Sequence, residues 1–110
     1  MRKLLPLLAA ACLFLTGCMT LSVTGSTEDG TEQFYGSATG YMDGSGTITL
    51  DSNKGTKVYG TFVYINRRQG QGTFRCADGR TGPFSFVSTG SSGTGTGRLG
   101  NQYFTFTFGD

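Results

Sequence analysis

The fold is decided by residues 72–86, GTFRCADGRTGPFSF. Apolar and polar side chains alternate there on both sides of Asp78-Gly79, a dipeptide that favours a tight turn because glycine tolerates positive φ. The side chains that share the apolar face are Phe74, Cys76, Phe84 and Phe86. Alternation with a period of two is that of a β-strand, so this stretch predicts an antiparallel hairpin.

The same alternation extends in both directions from this hairpin, over residues 34–110. Turn residues recur every 10 to 12 positions, and Gly-x-Gly units begin at Gly44, Gly70 and Gly95. Glycines inside strands favour sharp bending or a large neighbour. The sequence therefore predicts an all-β domain: a small glycine-rich antiparallel meander of about seven to eight short strands, closed or partly closed into a barrel.

The first 17 residues have the parts of an export signal. Arg2 and Lys3 precede an apolar run from Leu4 to Leu15, which is shorter than the roughly 20 residues that span a bilayer. Residues 15–18, LTGC, resemble the lipobox of bacterial lipoproteins. That resemblance implies cleavage between Gly17 and Cys18 and a diacylglycerol on the Cys18 thiol. An ordinary signal peptide with a chance cysteine is the alternative.

These observations predict three segments: a signal helix over 1–17, a lipidated cysteine and flexible tether over 18–33, and the β domain over 34–110. The tether is polar, although its apolar patch, Leu21–Val23, could add one strand to the sheet. The lipid on Cys18 predicts membrane attachment at the cell envelope. Met19 stands where lipoproteins retained in the inner membrane of Gram-negative bacteria tend to carry Asp, which favours the outer membrane, with the domain periplasm-facing or surface-exposed.

Composition narrows the class of function. Nine Lys and Arg residues face seven Asp and Glu, and two of the nine belong to the signal, so a nucleic-acid partner has no electrostatic support. The chain has no histidine, the commonest general base and metal ligand. Residues 51–55 favour a hairpin turn over a calcium loop, and no helix is predicted after the Gly-x-Gly-x-x-Gly at 95–100. We therefore predict no enzyme, no cofactor and no metal.

Three features remain for interaction. Arg67 and Arg68 form the only concentrated charge, and Tyr41, Tyr59 and Tyr103 are expected on the surface, as contact residues or as sheet cover. Cys76 is expected to be a buried structural thiol, with an intermolecular disulfide or a redox role as alternatives.

Residues 72–86 and the ending FTFTFG (104–109) resemble small all-β lipoproteins of proteobacteria, a likeness that carries no known activity. The function predicted is thus a lipid-anchored envelope protein with a non-enzymatic structural or protein-interaction role. The alternative is a binding inhibitor or a small-ligand-binding barrel. Residues 74–79, FRCADG, are similar to the Tyr/Phe-x-Cys-x-Asp-Gly stretch of β-barrel lipoproteins that inhibit lysozymes.

Overall fold

The computed structural model describes residues 19–109, which form one closed barrel of eight antiparallel strands. Each strand pairs with the next along the chain, and β1 pairs with β8. The strands are β1 (Met19–Thr27), β2 (Gln33–Gly40), β3 (Ser45–Ser52), β4 (Lys57–Tyr64), β5 (Gln69–Cys76), β6 (Thr81–Ser88), β7 (Ser92–Leu99) and β8 (Gln102–Gly109). The predicted all-β meander and its closure are confirmed. The predicted signal helix lies outside the described residues.

The first strand corrects the predicted tether. Residues 19–27, placed in a flexible tether over 18–33, form β1, which is paired with β2 along eight positions and with β8 along five. The alternative, in which Leu21–Val23 adds a strand, is the correct one. The prediction of a tether was wrong because backbone hydrogen bonds to β2 and β8 hold β1 in place, and not the apolar content of β1 itself. Residues 19–27, within the predicted tether, are therefore part of the barrel.

The barrel interior is the hydrophobic core. Alternate residues of every strand point inward, as the periodicity predicted, while the outer wall is rich in Thr, Ser and Gln. Thirteen buried hydrophobic side chains fill the interior: Val23, Phe34, Ile48, Leu50, Val58, Phe62, Phe74, Cys76, Phe84, Phe86, Leu99, Phe104 and Phe106. Many of the rings meet edge-to-face or offset-stacked, as aromatic pairs prefer.

Strand glycines make room for these rings. Gly95 lies opposite Phe106, and a Cβ at Gly95 would overlap the end of that ring. Gly70 and Phe86 form an equivalent cross-strand pair. The glycine repeat thus places the smallest residue directly opposite the largest ones, which lets a narrow barrel hold a phenylalanine core.

The connections between strands are tight. They contain between two and five residues, and the predicted turns at Gly55 and Gly79 adopt positive φ, at 84° and 100°. Within residues 19–109 there is no helix with the length and hydropathy needed to cross a membrane.

Candidate functional site

The two ends of the barrel differ in chemistry. We call the end that holds Met19 the N-terminal rim; its turns are 41–44, 65–68 and 89–91. The opposite rim holds the turns 28–32, 53–56, 77–80 and 100–101. Because a meander alternates direction at every strand, successive turns lie at alternate rims. The opposite rim carries ionic contacts, and the N-terminal rim carries exposed apolar side chains.

An ion pair closes the opposite rim. The guanidinium of Arg80 donates to both carboxylate oxygens of Glu32, with Nη1–Oε1 at 2.8 Å and Nη2–Oε2 at 3.0 Å. Ser52 Oγ also donates to Glu32 Oε2, at 2.5 Å, and Arg80 Nε donates to Asp78 Oδ2, at 2.9 Å. The Glu32 side chain is only 1% exposed. This cluster joins the turns 28–32 and 77–80 to the end of β3, segments that are far apart in sequence.

The electrostatics of this cluster favour a structural role. The hydrogen bonds from Arg80 lower the pKa of the Glu32 carboxyl below its ordinary 4.5, and burial opposes that effect without overcoming it. The pairing in turn raises the pKa of Arg80. A general acid or base needs a pKa near the working pH. Glu32 is therefore a fixed anion that latches the barrel end, not a proton-transfer group.

Cys76 lies beside this cluster. It is the last residue of β5, its side chain is buried as predicted, and Arg80 Nη2 is 3.6 Å from its Sγ. Burial raises the pKa of the thiol above its ordinary 9.0. A reactive thiol needs exposure and a lowered pKa. Both observations favour the structural role over a redox role or an intermolecular disulfide.

The N-terminal rim is open to a small apolar cavity. Its volume is about 80 Å³. The residues that line it are Met19, Leu21, Val23, Ala38, Gly40, Ile48, Phe62, Tyr64, Phe86, Gly90, Phe106 and Phe108. At the lip, the Tyr64 ring packs edge-to-face on Phe86 with the ring centroids 5.3 Å apart. This rim therefore presents apolar surface where the opposite rim presents an ion pair.

The predicted interaction residues Arg67 and Arg68 lie at the N-terminal rim, in the turn between β4 and β5. Both are exposed. Asn66 shapes this turn, because its Oδ1 accepts hydrogen bonds from the backbone N–H of Arg68 at 2.9 Å and of Gln69 at 2.8 Å. Neither arginine forms an ion pair with a carboxylate of residues 19–109.

The other predicted interaction residues do not lie together in the structure. Tyr41 lies in a turn of the N-terminal rim, whereas Tyr59 and Tyr103 lie on the outer wall near the opposite rim, so the three do not form one surface. Gly17 and Cys18 lie outside the described residues. The Glu32–Arg80 pair could not be predicted from the sequence, since 48 residues separate its members and no local pattern marks them.

Comparison with known proteins supports the fold alone. No family model matches the sequence, and no curated protein matches it. Among solved structures, the chain is similar to a redesigned β-barrel, mFAP1, bound to DFHBI, with a TM-score of 0.64 and 12% identity. The match covers 83% of this chain and 92% of that one. The protein is a small β-barrel whose fold resembles that of a barrel solved with a ligand bound.

Proposed function

We propose that this protein is a lipid-anchored component of the bacterial cell envelope, with a non-enzymatic structural or protein-interaction role carried by the outer surface of its barrel. The observation that carries the proposal is the position of the LTGC sequence relative to the barrel. The LTGC sequence predicts a mature chain that begins at Cys18, and all eight strands of the barrel lie within Met19–Gly109. Cleavage at that point removes nothing that the eight strands need.

The filled interior supports a role for the outer surface. Sites for small molecules usually enclose about 300–1,000 Å³. The cavity at the N-terminal rim is about 80 Å³, and aromatic side chains occupy the space beneath it. The barrel therefore offers partners its wall and its rims more readily than its inside.

Processing of the N-terminus tests the proposal. We expect mass spectrometry of the full chain expressed in a Gram-negative host to find Cys18 as the first residue, carrying fatty acyl groups, and the protein in the outer-membrane fraction. Cys18→Ser should abolish both the acylation and the chain that begins at residue 18, because it removes the thiol that the lipid is predicted to modify. Cys12→Ser, inside the apolar run, is the matched control and should change neither.

Two outcomes would contradict the anchor. One is a mature wild-type chain without acyl groups, and the other is a Cys18→Ser chain that is still acylated. Recovery of the acylated protein in the inner-membrane fraction would refute only the outer-membrane location.

A second candidate, a small-ligand-binding barrel, is favoured by the apolar cavity at the N-terminal rim and by the likeness to a barrel solved with DFHBI. Ligand entry would require Tyr64 and Phe108 to move, since both line the opening. Solvent extraction of the purified protein followed by mass spectrometry distinguishes the candidates. A stoichiometric apolar molecule would favour the carrier, and none is expected.

The lysozyme-inhibitor alternative stays a prediction with weaker support. Residues 74–79 end β5 and begin the following turn, Cys76 is buried, and the adjoining Arg80 is engaged with Glu32. This stretch therefore does not present a protruding loop. Capture of purified lysozyme by the immobilised barrel would favour the inhibitor over the role we propose.

A further inference from the structure

We propose that the N-terminal rim is a docking surface for an anionic lipid bilayer, so that the barrel stands end-on against the membrane. The inference rests on the proposed function for the presence of a membrane. It concerns a surface of the barrel itself, however, and it is tested on a chain that carries no lipid.

Exposed apolar side chains are concentrated at this rim. Seven of the ten exposed large hydrophobic residues lie there: Met19, Tyr41, Met42, Val63, Tyr64, Ile65 and Val87. Met42 is 78% exposed and Ile65 57%. The other three, Tyr35, Tyr59 and Tyr103, lie on the wall towards the opposite rim, and none of the turns of that rim, all within the described chain, contributes one.

Backbone contacts place these residues on neighbouring segments of the same rim. Met19 lies opposite Gly40, the residue before Tyr41. The Tyr64 N–H donates to the Gly44 carbonyl at 2.7 Å, which joins the end of β4 to the turn that holds Met42. The Ser88 N–H donates to the Arg68 carbonyl at 2.6 Å and so joins the end of β6 to the same edge. The positions that carry the apolar side chains thus follow the rim from β1 to β6.

The described turns of this rim, 41–44, 65–68 and 89–91, carry two basic side chains and one acidic side chain. Arg67 and Arg68 follow Ile65 in the same turn. Asp43 lies in the turn 41–44, where its Oδ1 accepts hydrogen bonds from Ser45 N–H at 3.0 Å and from Ser45 Oγ at 2.6 Å. Arginine beside apolar and tyrosine side chains is the composition of interfacial membrane surfaces, where the cations meet anionic headgroups and the apolar tips enter below them.

The sequence that precedes Met19 favours a bilayer as the partner of this rim. Residue 18, and before it the apolar run from Leu4 to Leu15, join the barrel at Met19, at this rim. Only residues 16–18 lie between that run and Met19 in the sequence. Any lipid or apolar segment held in a membrane by the preceding residues therefore brings Met19, Met42 and Ile65 to the headgroup layer at the same time.

Vesicle flotation tests the surface without the anchor. The chain Met19–Asp110 contains all eight strands and every ladder between them, so it retains the whole barrel. We expect it to float with vesicles of phosphatidylethanolamine and phosphatidylglycerol at millimolar lipid, and to float with pure phosphatidylcholine far less. Binding should weaken as salt is raised, because the attraction of arginine to anionic lipid is screened.

Double substitutions test which residues bind the vesicles. Arg67→Gln with Arg68→Gln should weaken binding to the anionic vesicles about 30-fold, the effect of two basic residues near such a surface. Met42→Ser with Ile65→Ser should weaken it at least about tenfold through lost apolar burial. Tyr59→Ser with Tyr103→Ser, equally exposed but on the wall, is the matched control and should leave binding unchanged. Thermal unfolding checks that each variant keeps its fold.

The possible results separate the alternatives. Failure of the wild-type chain to float with anionic vesicles overturns the docking surface, as does an equal loss from the wall control. A dimer in sedimentation that Met42→Ser with Ile65→Ser converts to monomer, without vesicle binding, would assign the rim to a second copy of the chain. Because acylation of Cys18 is measured separately, either proposal can fail while the other stands.

Discussion

Replacing Glu32 with Gln should destabilise the barrel by removing the charge that latches the opposite rim. Glutamine has nearly the shape of glutamate and keeps one carbonyl oxygen for a hydrogen bond. It cannot accept the paired hydrogen bonds that Arg80 now donates at 2.8 and 3.0 Å, and it faces Ser52 with a changed donor pattern. The substitution therefore tests the charge of the side chain with little change in packing.

The size of the effect follows from burial and from the remaining contacts. Breaking a buried ion pair by removing one partner costs about 3–5 kcal/mol. Here the Arg80 side chain is 25% exposed and keeps its contact with Asp78, so its charge is not left wholly uncompensated. We expect a loss of about 2 kcal/mol in the free energy of unfolding at pH 7, or about 10 °C in Tm for a domain of this size.

The pH dependence carries a second, independent expectation. The pKa of Glu32 is lowered in the folded state from its ordinary 4.5, so the folded state binds the Glu32 proton less readily than the unfolded state does. The stabilisation is fully present above the ordinary value and is lost as the pH falls through the folded pKa. Glutamine does not titrate. The difference in stability between wild type and Glu32→Gln should therefore shrink below about pH 4.5.

Urea unfolding of Met19–Asp110 followed by circular dichroism, at pH 7 and at pH 3, measures both effects. The control is Asp51→Asn, which removes the exposed pair that Lys57 makes at 2.6 Å, and it should change stability little because water and salt screen surface pairs. A loss below about 0.5 kcal/mol at pH 7, within the range of ordinary surface substitutions, would refute the latch. So would a difference between wild type and Glu32→Gln that does not change with pH.

Two further predictions concern the core. Gly95→Ala should destabilise the barrel by about 1–3 kcal/mol, because its Cβ would overlap the Phe106 ring. Gly40→Ala, with nothing within 4 Å of the new Cβ, should be neutral or slightly stabilising. Equal effects of the two substitutions in urea unfolding would contradict the packing of the Phe106 ring over Gly95. Cys76 is the only thiol of Met19–Asp110, and burial raises its pKa. It should therefore react with a disulfide reagent at least tenfold more slowly in the folded protein than in urea. Equal rates would show that the thiol is accessible in the folded protein.

The strands with strong alternation could be predicted from the sequence, and β1 could not. In β8 the inward positions 104, 106 and 108 are all Phe, so the period of two is visible in the sequence alone. In β1 the buried positions are Val23 and Thr27, with Gly25 between them. A Cβ at Gly25 would crowd Phe106, so β1 leaves core volume to the rings of its neighbours. A strand that contributes little apolar volume of its own resembles a linker until its partners are known.

Some residues of the candidate surfaces could be predicted from local sequence, but their grouping at one rim could not. Exposed Arg67 and Arg68 in a turn follow from local sequence. Their position at the same rim as Met42 does not, because it depends on which turns share a rim, and that depends on the number of strands between them. The predicted tether placed Glu32 outside the barrel, and only the extra strand β1 brings it over the core, opposite Arg80.

An even number of strands gives the barrel its polarity. With eight strands, the start of β1 and the end of β8 lie at the same rim, and the four connections that follow odd-numbered strands lie at the other. If the chain is attached to a membrane through Cys18, as we propose, the ion-paired rim and the exposed carboxylates of Glu28 and Asp29 would face away from the bilayer. Because rings fill the interior, a partner in the envelope would meet this polar rim and the hydroxyl-rich wall. Substitutions there should change partner binding without changing attachment, and substitutions at the N-terminal rim should do the reverse.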